Sequence, residues 1–74
     1  MNFDKELDVR GLACPLPVVR ATKMLVGMSP GQVLKVVATD SGSVSDMKEF
    51  AEATGHELLS AEASGKEFVF FLKK

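Results

Sequence analysis

Leu7 and Val9 alternate with charged neighbours over residues 6–9 and Gly11 breaks the pattern, which predicts a short first strand followed by a turn. From Pro15 to about Met28 the apolar residues shift to a helical period. Val18, Ala21, Met24, Leu25 and Met28 fall on one side, with Arg20, Lys23 and Gly27 opposite. Ser29-Pro30-Gly31 reads as a turn, and strict alternation resumes from Gln32 to Thr39. Leu34, Val36 and Ala38 point one way there, and Val33, Lys35 and Val37 the other. A second helix is expected after Asp40-Ser41-Gly42. Its buried stripe is Val44, Met47, Phe50, Ala51 and Thr54, its start is a capping box from Ser43 to Asp46, and its stop is a left-handed Gly55. His56 to Glu62 and Glu67 to Lys73 close the chain as two strands, with Ser64-Gly65 suited to a tight hairpin between them.

The order β-α-β-α-β-β predicts an α/β protein of two layers, a four-stranded mixed sheet with both helices on one face. Phe68, Phe70 and Leu72 of the last strand should then face the helices. Val69 and Phe71 should point outward beside Val33 and Val37, leaving an apolar open sheet face that is either scattered exposed surface or a dimer or partner surface.

At 74 residues this is one domain spanning 1–74, close to the size at which a single core is just sufficient. Hydrophobic residues make up 46% and charged residues 26%, which excludes a disordered chain. A net charge of −1 argues against nucleic acid as the primary ligand. The charged start carries no apolar leader and no run approaches membrane-spanning length, so the expectation is a cytoplasmic protein with no membrane contact. One cysteine and one histidine leave no disulfide within the chain and no usual zinc cluster, so no metal or cofactor is expected.

The chemistry is therefore expected at Cys14, which stands in front of Pro15 and Pro17. A residue preceding proline is pushed out of the right-handed α region, so Cys14 should lie at or just before the start of the first helix. If Cys14 is the N-cap, Pro15 takes the first helical position and the Leu16 N–H is the hydrogen bond available to a thiolate. Leu16 also precedes a proline, so it can be the N-cap instead, with the helix starting at Pro17. In either register the prolines supply no donors of their own. They stiffen the entry and present the thiol, whose pKa is expected to fall modestly at a helix N-terminus. Leu16, Arg20 and Lys23 form a mixed apolar and basic collar nearby, a candidate surface for partner docking. His56 reads as structural or solvated.

Asp8, Gly11, Cys14-Pro15-Leu16-Pro17, Asp40-Ser41-Gly42-Ser43 and Gly55-His56-Glu57-Leu58 together resemble the TusA/SirA family of small sulfur-carrier proteins. The resemblance covers essentially the whole chain, and Ser41 departs from it, since many members have proline there. It implies a fold like the C-terminal domain of translation initiation factor three. It further implies that Cys14 accepts sulfane sulfur as a persulfide, that Pro15 and Pro17 shape the site, and that Asp8 and Gly11 support its loop. The implied partners are a donor, a cysteine desulfurase or rhodanese, and an acceptor sulfurtransferase. Gly31-Gln32-Val33-Leu34 and Gly55-His56-Glu57-Leu58-Leu59 are similar to carriers associated with DsrE-type acceptors. Members serve tRNA thiolation, sulfur oxidation or molybdenum-cofactor supply. A monomer is expected. A thiol redox sensor and a non-catalytic interaction module are the other classes the residues allow.

Overall fold

A computed structural model describes residues 2–13 and 15–74, and Cys14 lies outside the described residues. The elements run β1 (Lys5–Val9), α1 (Leu16–Val26), β2 (Val33–Ala38), α2 (Ser43–Thr54), β3 (Glu57–Ser64) and β4 (Glu67–Lys73). They form one four-stranded sheet in the order β1-β2-β4-β3. β1 and β2 pair in parallel, and β4 is antiparallel to both β2 and β3. This is the mixed sheet expected from a β-α-β crossover followed by a hairpin.

The alternation of β2 decides which face is covered. Leu34, Val36 and Ala38 are fully buried with Val9, Phe70 and Leu72, against Ala21 and Leu25 of α1 and Met47, Phe50 and Ala51 of α2. One apolar face thus meets two apolar helix stripes, and that burial drives the fold. β1 and β2 each lead into a helix, so the N-termini of α1 and α2 lie at the carboxyl ends of the two parallel strands. Residues 10–13 and Pro15 belong to that edge of the molecule.

Several boundaries differ from expectation for local reasons. α2 starts on Gly42 as N-cap without a side-chain cap, so the capping box from Ser43 to Asp46 does not form. Ser43 is instead the first helical residue and fully buried, and both its N–H and its Oγ donate to the Asp40 carbonyl, at 3.0 and 2.6 Å. Burying the hydroxyl is sustained only because that carbonyl accepts it. The β3–β4 turn is Gly65-Lys66, one residue later than Ser64-Gly65, since Ser64 pairs with Glu67. Gly65 takes φ +62 as the first of the two turn residues, where a tight hairpin needs a residue free of Cβ clash. β3 also carries a register shift between Leu58 and Ser60, which sequence alternation alone did not reveal.

The open sheet face is not the apolar surface the alternation suggested. Phe71 and Val37 point to it but are only 8% and 9% exposed. The Phe3 ring packs 6.3 Å from that of Phe71, Lys35 Nζ lies 5.2 Å from the centre of the Phe3 ring, and Lys35 pairs with Glu6 at 3.6 Å. Charged and aromatic side chains of β1, β2 and the N-terminal segment thus shield the apolar positions.

Candidate functional site

The site is built from the loop after β1, the start of α1 and the start of α2. Asp8, near the end of β1, accepts the Arg10 N–H on Oδ1 at 3.0 Å, an Asp-initiated turn that bends the chain out of the strand. The Arg10 side chain closes on the same carboxylate, Nε to Oδ1 and Nη2 to Oδ2, both at 3.0 Å, and Nη1 donates to Glu67 Oε2 at 3.2 Å. These bonds hold the Asp8 carboxyl at about 2, well below its ordinary value, chiefly through the guanidinium hydrogen bonds. The Arg10 guanidinium is raised in turn by the same contacts.

Gly11 follows at φ +83, a left-handed conformation that a Cβ would strain. Its N–H donates to Thr39 Oγ1 at 2.8 Å, and the Leu12 N–H donates back to the Val9 carbonyl at 3.2 Å. The loop is therefore tied to β1 and to the residue after β2. Gly11, Leu12, Ala13, Thr39 and Asp40 line a cavity of about 190 Å³ there.

The start of α1 corrects both registers considered from sequence. Pro15 is the N-cap, at φ −98 and ψ 17, and helix α1 begins at Leu16, so neither Cys14 nor Leu16 is the cap. The Leu16 N–H, expected to be available to a thiolate, instead donates to the Ala13 carbonyl at 2.9 Å. The backbone turns tightly enough before the helix for that carbonyl to take the amide first. The first intrahelical bond of Leu16–Val26 in this stretch runs from the Val19 N–H to the Pro15 carbonyl at 3.1 Å.

The two prolines divide their roles. Pro15 is exposed, as is Ala13 on the other side of Cys14, whereas Pro17 is fully buried and packs into the domain. Pro17 anchors the first turn and Pro15 faces solvent beside the cysteine position. Leu16, Arg20 and Lys23 are all exposed, as the helical wheel indicated, and Leu16 is 43% exposed. Val19 joins them at 40%, completing an apolar and basic ridge. Across Pro15 lies a groove of about 300 Å³ lined by Pro15, Val18, Asp46, Glu49, Phe50 and Ala53.

Arg10, Thr39, Glu67 and Val19 were not singled out from sequence. Arg10 stands two residues after Asp8 inside the motif, and that spacing was the available signal. Thr39 and Glu67 come together with the loop only through the fold. His56 sits apart from this cluster, with Nδ1 2.7 Å from Thr54 Oγ1 and its ring stacked on Phe50, in a structural setting. Thr54 Oγ1 donates its own proton to the Phe50 carbonyl, so His56 Nδ1 is the donor in that pair. Among the described residues no group of three or more His, Cys, Asp or Glu side chains is placed to hold a metal ion. No helix among them is long and apolar enough to cross a membrane.

A small two-layer α/β domain with a Cys-Pro-x-Pro segment entering its first helix defines a narrow class of protein. The family model for sulfurtransferase TusA matches residues 5–74. The chain is 55% identical over 73 residues to the sulfur carrier protein TusA of Allochromatium vinosum, covering 99% of this chain and 96% of that one. It is 52% identical over 66 residues to a putative sulfur carrier protein of Neisseria meningitidis, covering 89% and 86% of the two chains. The crystal structure of a SirA-like protein from Desulfitobacterium hafniense superposes with a TM-score of 0.83 at 25% identity, over 95% of this chain and 96% of that one. The chain belongs to the TusA family.

Proposed function

We propose that the protein is a sulfur carrier in which Cys14 takes up one sulfane sulfur from a donor protein and delivers it to an acceptor. The Cys14 thiolate attacks the outer sulfur of a donor persulfide, the donor S–S bond breaks, and the donor thiolate leaves. An acceptor thiolate then attacks the outer sulfur of the Cys14 persulfide and releases Cys14 as the thiolate. Sulfur moves without net oxidation or reduction, so neither a cofactor nor a metal is required.

The observation that carries this reading is the pairing of family membership with a single cysteine in the Cys-Pro-x-Pro segment. A second thiol in the chain would attack the inner sulfur and discharge the cargo as a disulfide. The setting supports transfer between proteins: Ala13 and Pro15 on either side of Cys14 are exposed, and Pro17 and Gly11 fix the segment's two ends. On this reading Asp8 and Gly11 shape the loop, and Leu16, Arg20 and Lys23 dock the partner.

The donor is a cysteine desulfurase or a rhodanese and the acceptor a sulfurtransferase of the DsrE type, in a relay that serves sulfur oxidation ahead of tRNA thiolation or molybdenum-cofactor supply. The cytoplasm, where a free thiol stays reduced, is the proposed location. Incubation with a cysteine desulfurase and cysteine, or with a rhodanese and thiosulfate, followed by intact mass measurement, tests the reading. The expected product carries one additional sulfur atom, absent in Cys14→Ser. Failure of both donors to load Cys14 overturns it.

A further inference from the structure

We propose that the groove between α1 and α2 beside Pro15 receives an apolar side chain of a relay partner flanked by lysine or arginine. The partner's place in a relay rests on the carrier reading above; the groove's preference for that chemistry does not. Pro15 and Val18 supply the α1 wall, Phe50 and Ala53 the α2 wall, and Asp46 and Glu49 bring carboxylates to the same lining. A mainly apolar lining that also carries two carboxylates favours an apolar side chain whose neighbours are cationic. Asp46 is half-buried and already engaged by a neighbour, so Glu49, which is exposed, is the adjustable charge.

The position of the groove selects a relay partner over a second copy of this chain. Pro15 is a groove residue and directly follows Cys14 in the sequence, so an occupant of the groove touches the chain one residue from the cysteine. A second copy seated there would cover the segment that has to meet donor and acceptor. On the other side of the same segment the exposed ridge of Leu16, Val19, Arg20 and Lys23 is basic. Opposite charges thus lie on the two sides of the start of α1, and a partner bearing the reverse pattern docks in one orientation only.

Two short peptides test this, Cys-Leu-Lys-Lys and Cys-Leu-Glu-Glu, each activated as its mixed disulfide with thionitrobenzoate. The Cys14 thiolate attacks the peptide sulfur, forms the protein–peptide disulfide and releases coloured thionitrobenzoate, which gives the rate. The basic peptide is expected to react about fivefold faster than the acidic one at low salt, and the advantage to fall in high salt. Glu49→Lys should abolish the advantage while leaving the rate with neutral dithiodipyridine unchanged. Equal peptide rates, or an advantage that survives Glu49→Lys, overturn the proposal. A concentration-dependent dimer dissolved by Glu49→Lys would give the groove to a second copy and overturn it as well. Loss of persulfide loading with the peptide preference intact removes the carrier reading and leaves the groove's specificity standing.

Discussion

Arg10 grips Asp8 through both carboxylate oxygens and its backbone N–H, and reaches over to Glu67 with the nitrogen left free. One guanidinium therefore joins the end of β1 to the start of β4, strands that do not neighbour each other in the sheet. Glu6, Asp8, Arg10, Lys35, Val37 and Glu67 line a cavity of about 390 Å³ on that open face. The residue after this clamp is Gly11, so the clamp holds the stem of the loop that carries Cys14.

The clamp makes part of the stability depend on pH. Asp8 has its carboxyl lowered from 3.8 to about 2 in the folded state, so the unfolded chain binds this proton more readily than the folded one. Its contribution is fully present above about pH 4 and is lost as pH falls toward 2, the window set by those two values. Urea unfolding of wild type and Asp8→Asn should show a stability gap at pH 6 that closes as pH approaches 2. A gap that stays constant across that range would show that the pairing with Arg10 does not hold in solution.

Gly11 and Thr39 should respond differently to substitution although they share one hydrogen bond. Among the described residues beyond its chain neighbours no atom lies within 4 Å of where a Cβ at Gly11 would sit, so the cost of Gly11→Ala is the left-handed φ of +83. That is about 1–2 kcal/mol, or a loop that moves to relieve it. Thr39→Val removes the acceptor of the Gly11 N–H, but both groups are exposed and water replaces the bond, so about 1 kcal/mol or less is expected. Chemical denaturation of the two variants checks the order, with Gly11→Ala the more damaging.

Pro15 and Pro17 should separate in the same way. Pro17 is fully buried, so Pro17→Ala removes packed methylene groups and leaves a gap, a loss of about 2 kcal/mol. Pro15 is exposed, and Pro15→Ala acts mainly by freeing the chain in the unfolded state, about 0.5–1 kcal/mol. The expected pattern is a markedly lower unfolding midpoint for Pro17→Ala and a near-normal one for Pro15→Ala. Equal losses would contradict the division of roles seen in the structure.

The periodicity of Leu34, Val36 and Ala38 against Ala21, Leu25, Met47 and Phe50 carried the whole architecture, because a sheet with one covered face and two amphipathic helices has few arrangements. The N-cap escaped it. Two successive X-Pro steps each disfavour helical backbone in the preceding residue, yet the chain turns at Pro15 itself, and the Leu16 N–H finds the Ala13 carbonyl. The charged cover of Val37 and Phe71 escaped it too. Alternation sets Lys35 beside Val37 but does not say that Phe3 will pack on Phe71 and under Lys35, or that Arg10 and Glu67 will border Val37, all from other parts of the chain. Within the candidate site, Asp8 and Gly11 were legible through the motif, and Thr39 and Glu67 were not, since their partners stand 28 and 57 residues away.

The α1 ridge gives the last prediction. Arg20 and Lys23 are exposed beside Leu16 and Val19, and neither forms an ion pair among the described residues, where Arg10 and Lys35 are the cations that do. Charges in that setting contribute little to folding and act mainly on the rate at which a partner of opposite sign arrives. The double variant Arg20→Glu/Lys23→Glu should therefore unfold at nearly the wild-type denaturant concentration while loading sulfur from its donor about tenfold more slowly at low ionic strength. Added salt should slow the wild type and narrow the difference, because it screens the attraction in one and the repulsion in the other. Alkylation of Cys14 by uncharged iodoacetamide, which needs no docking, should proceed equally in both proteins. Slowed alkylation together with slowed loading would mean that the two charges act on the thiol itself, and equal loading rates would remove the ridge from the docking surface.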